Sequence, residues 1–334
     1  MSTSPFRWID HEPGASGAPS DSLWSMSNSP IPATRDPRDR RVALRSLLAS
    51  DEPLILPGTS DPAGAMLIER AGFRAAYATG AGISNAQFGL PDIGLVSQTE
   101  ILQQVSRIVH ATSLPLVVDA DTGYGAVPSV IRTVQLMEAA GASALQFEDQ
   151  EMPKRCGHFD NHRLVETEEM QAKIAAAVEA RRDANLLIIA RTDARSVVGI
   201  DEAIRRGHAF LAAGADALFI EAPQSKDEVR LVGREFAGVP LVANIVEGGK
   251  TPASSVAELQ DLGFSIMLFA NFLMRAMLFA GQQALSHLAE EGESQSYSDR
   301  LLSWEDRQAM FRLNDFGAVE DRLLAAWGAT PRKP

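Results

Sequence analysis

The single cysteine of this chain, Cys156, is surrounded by charged residues. It lies in the segment Lys154-Arg155-Cys156-Gly157-His158. A thiol reacts as its thiolate, and neighbouring cationic groups such as Lys154, Arg155 and His158 favour that form. An isolated cysteine is more often a small buried apolar side chain, but this charged setting favours a reactive thiol on a loop.

Polar residues close five of the short apolar runs of the sequence. If these runs are parallel strands of one barrel, their carboxyl ends meet at a single rim, where active sites of such folds lie. One such residue alone is equally compatible with a satisfied polar group at a strand end. Five on different strands predict a shared pocket, and they are Asp119, Glu148, Arg191, Glu221 and Asn244.

Carboxylates dominate one part of this predicted rim. Asp119 and Asp121 are separated by one residue, which places them on one face if the strand continues, and Glu148 ends the next run. Clustered carboxylates raise one another's pKa unless a cation neutralises them. Oxygen ligands without a histidine set favour Mg²⁺ or Mn²⁺ over zinc. The alternative is a purely structural cluster paired with Arg191 and Lys154.

The elements that position these residues follow from the alternation of apolar runs and amphipathic stretches. Continuous apolar runs bounded by turn residues are typical of parallel strands covered on both faces. Stretches 129–141 and 203–214 have helical spacing and end at glycine. The eight runs are 53–57, 75–79, 114–119, 144–148, 186–191, 217–221, 240–244 and 265–269.

Eight such units predict an α/β fold, a (β/α)8 TIM barrel. A doubly wound sheet is the alternative, but it requires a phosphate-binding glycine signature after the first strand. The only similar segment, Gly80-Ala81-Gly82, follows the second strand. We expect three regions: a Ser- and Pro-rich tail, disordered or extended, over 1–40, the catalytic barrel over 41–290, and a C-terminal helical extension over 291–334.

Composition limits the possible partners. The chain has 334 residues, of which 45% are hydrophobic and 22% charged, as in a globular protein. Its net charge of −12 argues against nucleic-acid binding, and no apolar run is long enough to span a bilayer. One cysteine excludes an internal disulfide. With no apolar signal core at the N-terminus, we expect a cytoplasmic protein with neither nucleic acid nor membrane as a partner.

Six motifs, in order, resemble the isocitrate lyase and phosphoenolpyruvate mutase superfamily over roughly residues 42–290. Its short-chain members include methylisocitrate lyase, 2,3-dimethylmalate lyase, oxaloacetate hydrolase and carboxyphosphonoenolpyruvate mutase. The motifs are Leu90-Pro91-Asp92-Ile93-Gly94, Val118-Asp119-Ala120-Asp121-Thr122-Gly123-Tyr124-Gly125, Glu148-Asp149-Gln150, Lys154-Arg155-Cys156-Gly157-His158, Ile189-Ala190-Arg191-Thr192-Asp193-Ala194 and the segment from Asn244 to Pro252.

The resemblance implies a role for each matching residue. Asp119 would ligate Mg²⁺ directly, and its bound waters would be held by Asp92, Asp121 and Glu148. Cys156 would be the proton donor on a closing loop. The remaining catalytic positions would be Tyr77, Lys154, His158 and Arg191. Substrate-binding positions would be Thr79, Gly80, Ala81, Gly157, Glu221, Asn244, Thr251 and Arg275.

The implied reaction is Mg²⁺-dependent cleavage of a 2-hydroxy di- or tricarboxylate, of the 2-methylisocitrate or 2-alkylmalate type. The products would be a 2-oxo acid such as pyruvate and a carboxylate. Carboxyphosphonoenolpyruvate mutase or another phosphonate P–C enzyme, and oxaloacetate hydrolase, stay open as alternatives. The substrate would be a small anionic carboxylate. The resemblance also implies a homotetramer whose additional C-terminal helices are exchanged between subunits.

Departures from the superfamily pattern give conflicting indications of the substrate. The superfamily often has Ser-Gly-Gly at Thr79-Gly80-Ala81 and Tyr-Pro-Leu-Ser at Phe269-Ala270-Asn271-Phe272. Gln146 stands where methylisocitrate lyases tend to have histidine. Lys250 resembles the dimethylmalate lyase and carboxyphosphonoenolpyruvate mutase branch. Arg275 resembles a methylisocitrate lyase position that would meet an extra substrate carboxylate.

Overall fold

The computed structural model describes residues 35–154, 163–249, 251 and 255–330. The strands in these ranges are β1 Leu54–Thr59, β2 Ala76–Ala78, β3 Leu116–Asp119, β4 Ala144–Glu148, β5 Leu187–Thr192, β6 Ala217–Ile220, β7 Val242–Asn244 and β8 Ile266–Phe269.

The helices before the fifth strand are α1 Pro37–Leu48, α2 Pro62–Arg70, α3 Gly80–Phe88, α4 Gln98–Ala111, α5 Val127–Ala139 and α6 Thr167–Ala180. Those after it are α7 Ala194–Val198, α8 Ile200–Ala212, α9 Lys226–Glu235, α10 Val256–Asp261, α11 Phe272–Glu291, α12 Trp304–Met310 and α13 Leu313–Ala326. A 3₁₀ helix spans Gln295–Arg300.

The strands form one parallel sheet that curls into a nearly closed barrel. Their order is β6-β5-β4-β3-β2-β1-β8-β7, and every named pair is parallel. A single parallel bridge between Leu218 and Leu241 links the two ends of this order. Helices connect successive strands. The predicted (β/α)8 barrel is therefore confirmed, and each of the eight apolar runs overlaps one strand; β1 and β5 extend beyond their predicted runs, to Thr59 and Thr192.

Side-chain alternation along the strands separates two apolar layers. On β4, Ala144 belongs to the cluster that fills the barrel, whereas Leu145 and Phe147 pack in the cluster under the helices. Because successive strand residues point to opposite faces, Gln146 and Glu148 share the interior side with Ala144. The interior is thus apolar at its base and polar where the strands end.

Helix α1 closes the amino-terminal end of the barrel. Leu44 packs in the interior cluster. Arg41 donates hydrogen bonds to the carbonyl oxygens of Glu138 and Ala142, at 2.6 and 2.9 Å. Arg45 donates to the carbonyl oxygen of Ala184 at 2.7 Å. Both arginines therefore bind the chain shortly before strands β4 and β5, which leaves the opposite end of the barrel for chemistry.

The repeated helix-to-strand junctions have a common conformation. Gly72, Gly141 and Gly214 follow helices α2, α5 and α8 and have φ values of 83°, 96° and 100°. This left-handed conformation is the usual helix C-terminus that glycine provides. The helical stops predicted at Gly141 and Gly214 are confirmed.

The chain divides into two compact units. One is Thr34–Gln283, which contains the barrel, and the other includes Ala284–Pro334, of which residues 284–330 are described. Within the second unit, the rings of His287 and Tyr297 lie 5.0 Å apart. Within the described ranges, no helix combines the length and apolar character needed to cross a membrane.

Candidate active site

The predicted carboxylates converge at the carboxyl ends of two neighbouring strands. Asp119 is the last residue of β3 and Glu148 is the last residue of β4. The strand does not continue to Asp121, whose φ of 48° turns the chain instead. The Asp121 amide donates to Asp119 Oδ1 at 3.3 Å, and its carbonyl accepts from the Glu148 amide at 2.9 Å. A turn, rather than strand alternation, therefore unites the three carboxylates.

Helix α3 begins directly beside this cluster. Thr79 caps the helix, and its hydroxyl accepts from the Gly82 amide at 3.2 Å. The Gly80 amide donates to Asp119 Oδ2 at 3.3 Å. A Cβ on Gly80 would lie 3.0 Å from that same oxygen and 3.3 Å from Asp121 Oδ1. Glycine at this position thus lets the helix terminus approach the carboxylates.

Lys154 supplies the cationic partner on the other side of the cluster. Its Nζ lies 2.5 Å from Asp92 Oδ1 and 2.8 Å from Asp121 Oδ1, and the side chain is 4% exposed. Burial lowers the pKa of Lys154, but the charges of Asp121, Glu148 and the other carboxylates outweigh it and raise the pKa well above its ordinary value. Lys154 is therefore a fixed positive charge.

Arg191 is the second buried cation and lies next to Glu148. The two residues are paired in register on β4 and β5, with Arg191 Nη1 3.5 Å from Glu148 Oε2. Its guanidinium group lies over the Phe219 ring, with Cζ 5.1 Å from the centroid. Burial lowers the pKa of Arg191, but Asp193 and Glu148 raise it well above its ordinary value. A permanent cation therefore faces the carboxylate cluster.

Burial raises the pKa of Asp121 and Glu148 by more than the two neighbouring cations lower it. Burial raises the pKa of Asp121 to about 6, although Lys154 opposes the rise. Burial also raises the pKa of Glu148 well above its usual value, opposed by Arg191. A further bound cation would favour the ionised forms of both groups.

The donor set fits a hard divalent ion that keeps part of its water shell. Glu148 Oε1 is buried and accepts no hydrogen bond from the part of the chain that the structure describes. Over the same ranges, no three Asp, Glu, His or Cys side chains form a direct cage for an ion. Mg²⁺ typically binds proteins through one or two carboxylates and retains several waters. The arrangement therefore matches one direct ligand, with the other carboxylates acting through water.

Tyr77 extends from β2 into the barrel interior and is 2% exposed. Burial and the negative charge of Asp119 raise its pKa well above the ordinary value. In the free protein Tyr77 is therefore a neutral phenol.

The opposite side of the rim is formed by the ends of β6 and β7. Asn244 Nδ2 lies 3.4 Å from both carboxylate oxygens of Glu221. A cavity of about 420 Å³ opens beside them; its lining includes Asn244, Thr251, Glu247, Val246, Leu259 and Phe264. Asp119 and Glu148 are not part of this lining. The cavity thus borders the far side of the site rather than its carboxylate face.

Other predicted site residues lie at the edges of the described site or outside it. Cys156, Gly157 and His158 are outside the described residues, as is Lys250. Ala81 follows Gly80 in the first turn of α3. Arg275 lies on α11, half exposed, where it pairs with Glu247 at 3.0 Å. Arg275 therefore already has a carboxylate partner within the chain.

Sequence reasoning missed the groups that hold Arg191. Asp193 binds its guanidinium group through two oxygens, and Asp149 contacts the backbone of Asp193. Arg206 reaches Asp149 from α8. A usable signal was present, because Arg206 occupies the apolar face of the predicted helix 203–214, between Ala203 and Phe210.

The family model described as phosphoenolpyruvate phosphomutase matches residues 44–289, so the chain belongs to that family. It is 39% identical to 2,3-dimethylmalate lyase from Eubacterium barkeri over 277 residues, which are 83% of this chain and 96% of the relative. It is 42% identical to 2-methylisocitrate lyase from Aeropyrum pernix over 270 residues, 80% of this chain and 86% of the relative.

Solved structures agree with this assignment. A 2,3-dimethylmalate lyase, described as a member of the PEP mutase/isocitrate lyase superfamily, superposes with a TM-score of 0.80 and 32% identity, covering 87% of this chain and 96% of the other. Phosphonopyruvate hydrolase in complex with oxalate and Mg²⁺ superposes with a TM-score of 0.78 and 32% identity, covering 85% of this chain and 99% of the other. The chain is thus a carbon–carbon lyase of this superfamily.

Proposed function

We propose that this enzyme is a Mg²⁺-dependent lyase of 2-hydroxy di- or tricarboxylates, of the 2-alkylmalate or 2-methylisocitrate type. Its products are a 2-oxo acid such as pyruvate and a carboxylate. The observation that supports the proposal is the juxtaposition of Arg191 and Glu148 on adjacent strands, beside the buried Asp119 and Asp121. One face can thus hold a divalent cation while a fixed guanidinium group binds a carboxylate.

The metal site is supported by its donor set. Asp119 would hold Mg²⁺ directly, and Asp92, Asp121 and Glu148 would hold its waters. When bound, the ion supplies positive charge that lowers the pKa of the substrate's 2-hydroxyl group. Lys154 Nζ lies 2.5 Å from Asp92 and 2.8 Å from Asp121, and its charge holds these two carboxylates beside the site.

The protein's own groups orient the substrate. Arg191 binds its carboxylate, because a guanidinium group matches two carboxylate oxygens. Thr79, Gly80 and Ala81 at the start of α3 line the 2-oxo acid portion. The far side of the substrate faces Glu221, Asn244 and Thr251.

One proton transfer precedes the cleavage of the carbon–carbon bond, and another follows it. Tyr77 takes the proton of the 2-hydroxyl group as its phenolate, after its own proton has passed to solvent. Burial and then the Asp119 charge oppose that ionisation by raising the Tyr77 pKa, so a cation beside Asp119 would be needed to favour the phenolate. The bond then breaks, with its electron pair on the leaving carboxylate fragment. The Cys156 thiol gives its proton to that carbon as a general acid. Lys154 and His158 flank the thiol in sequence, and as cations they stabilise the thiolate that remains after the thiol has given up its proton.

A substrate panel tests this function. The protein is incubated with Mg²⁺ and methylisocitrate, isocitrate, dimethylmalate, oxaloacetate or phosphonopyruvate, and pyruvate, glyoxylate, oxalate and phosphate are measured. We expect pyruvate from dimethylmalate or methylisocitrate, and none in excess EDTA. Oxalate from oxaloacetate alone, or phosphate from phosphonopyruvate alone, would replace the proposal with the corresponding alternative.

Two aspartate variants make the test specific to the metal site. Asp119→Ala should abolish both turnover and Mg²⁺ binding with an unchanged circular dichroism spectrum. Asp183→Asn is the matched control, because Asp183 pairs with Arg41 at the opposite end of the barrel. Full turnover by Asp119→Ala or in EDTA would contradict the assignment of the metal ligand.

A further inference from the structure

A chain of buried polar contacts leads from Arg191 to the outer helices. Arg191 Nε donates to Asp193 Oδ2 at 3.0 Å, and Nη2 donates to Asp193 Oδ1 at 2.9 Å. The Asp193 side chain is fully buried. Two parallel hydrogen bonds between a guanidinium group and a carboxylate fix the plane of the guanidinium group as well as its position. Asp193 therefore determines the direction in which Arg191 presents its remaining donors.

Asp193 is itself held by a second buried carboxylate. Its amide donates to Asp149 Oδ1 at 2.9 Å, and the neighbouring Thr192 hydroxyl donates to Asp149 Oδ2 at 2.6 Å. Asp149 directly follows β4, and Asp193 directly follows β5. The contact thus locks two adjacent strand ends against each other.

Arg206 anchors this arrangement from the helix layer. Its Nη1 donates to Asp149 Oδ2 at 3.0 Å and to the carbonyl oxygen of Val165 at 2.9 Å. Its Nε donates to Glu202 on the same helix at 3.0 Å. A guanidinium group can bind three acceptors in fixed directions, which a lysine ammonium cannot reproduce. The position of Asp149 is therefore set by α8.

We propose that Asp193 is a positioning residue that orients Arg191 toward the substrate carboxylate, and that Asp149 and Arg206 hold Asp193 in place. The inference rests on the proposed function, in which Arg191 binds that carboxylate. Without the Asp193 charge, Arg191 turns toward Glu148, whose Oε2 is 3.5 Å from Nη1. That movement withdraws the guanidinium group from the substrate.

Oxalate binding tests the inference independently of the lyase substrate. Oxalate is a planar dianion that resembles a 2-oxo acid, and its dissociation constant is measured by calorimetry with Mg²⁺ present. Asp193→Asn keeps the shape of the side chain but removes the charge and one acceptor. We expect about 10- to 100-fold weaker oxalate binding, as for the loss of a charged hydrogen-bonded pair. The KM for the cleaved substrate should rise by more than kcat falls.

Two further variants separate positioning from stability. Arg206→Lys keeps the charge and should weaken oxalate binding by up to about 10-fold. Glu228→Gln is the matched control, because Glu228 forms an equivalent two-oxygen pair with Arg195, at 2.7 and 2.8 Å, without contacting Arg191. It should leave the oxalate affinity unchanged. Thermal unfolding of each variant shows whether stability and affinity change together.

The outcomes are distinguishable. A folded Asp193→Asn protein that binds oxalate like the wild type would overturn the positioning role. If that variant does not fold, Arg206→Lys decides, and an unchanged oxalate affinity in this variant overturns the inference whether or not its melting temperature falls. A wild type that binds oxalate but cleaves none of the panel refutes the proposed function, while the variants still test the inference. A wild type that binds no oxalate with Mg²⁺ overturns both.

Discussion

The Thr79 hydroxyl donates a hydrogen bond to Asn271 Oδ1 at 3.2 Å. The contact joins the cap of α3 to the segment between β8 and α11. Both positions depart from the superfamily pattern, which often has serine and leucine there. A leucine could not accept this hydrogen bond, whereas a serine could donate it, so asparagine at position 271 is the departure that creates the contact beside the predicted cradle of the 2-oxo acid.

We predict that Asn271→Leu changes substrate preference. The ratio of kcat/KM for dimethylmalate to that for methylisocitrate should change by about 10-fold, because one pocket contact typically discriminates by about 1–3 kcal/mol. Thr79→Ser keeps the hydroxyl donor and serves as the control, with the ratio unchanged. An unaltered ratio in Asn271→Leu would contradict a role in specificity.

A second prediction concerns Gly80. Gly80→Ala should weaken Mg²⁺ binding, because the added Cβ would lie 3.0 Å from Asp119 Oδ2. We expect a loss of about 10- to 100-fold, the usual effect of changing a group that supports a metal ligand. Calorimetry with Mg²⁺ provides the measurement. Gly281→Ala is the control, since a Cβ there meets nothing within 4 Å. It should raise stability by about 0.4–1 kcal/mol, and equal Mg²⁺ affinity in both variants would refute the steric argument.

The strands could be predicted because each of them forms a pattern of consecutive residues in the sequence. Each parallel strand is covered on both faces, so its residues form a continuous apolar run, and a polar residue ends the run where the barrel opens. Asp119 and Glu148 follow this rule. Asp121 does not, since its position depends on a left-handed turn rather than on strand alternation. The sequence therefore predicted that these carboxylates lie near one another but not the geometry that unites them.

The support of Arg191 was not predictable in the same way. Arg206 and Asp149 are 57 positions apart in sequence, and Asp149 and Asp193 are 44 apart. Such contacts depend on how α8 packs on the barrel and leave no periodic pattern. The one local sign was an arginine on an apolar helix face, which long side chains often occupy while their charged ends reach water. In this protein the charged end turns inward to a carboxylate instead.

The third prediction concerns the ion pair between Arg275 and Glu247, next to the part of the site formed by β6 and β7. Arg275 pairs with Glu247 at 3.0 Å, and both side chains are about half exposed. Glu247→Gln should free Arg275 and lower the KM for tricarboxylate methylisocitrate relative to dicarboxylate dimethylmalate. The change should be at most about fivefold, because exposed ion pairs contribute about 0.2–1 kcal/mol.

The control for this variant is Asp227→Asn, which breaks the exposed pair of Asp227 with Arg230, at 2.7 Å, on α9. It should leave both KM values unchanged. The predicted effect should also diminish at high salt, because exposed charges are screened. A ratio of KM values that is identical in Glu247→Gln and the wild type would exclude Arg275 from recognition of a third carboxylate.

The fourth prediction is self-association. Large apolar side chains of the last helices are exposed, among them Leu278 at 61%, Phe279 at 62% and Trp304 at 71%. Exposed apolar surface of this kind is typical of protein interfaces. This surface predicts self-association, and the family resemblance implies a homotetramer. Light scattering at micromolar concentration should give the mass of a tetramer, and Phe279→Glu should lower it. A monomeric wild type would contradict the expectation.

The last prediction concerns Cys156, which lies outside the described residues. If its thiol protonates the leaving fragment, Cys156→Ser should lower kcat by about 10²- to 10⁴-fold, the usual contribution of a general acid. Serine has nearly the same shape but is a far weaker acid at neutral pH. Oxalate affinity should be unchanged, because Arg191 and the carboxylates are intact. Iodoacetamide should label the thiol of the free protein more slowly once Mg²⁺ and oxalate are bound. A Cys156→Ser protein with wild-type kcat on its cleaved substrate would remove the thiol from the reaction and assign the proton donor to another group.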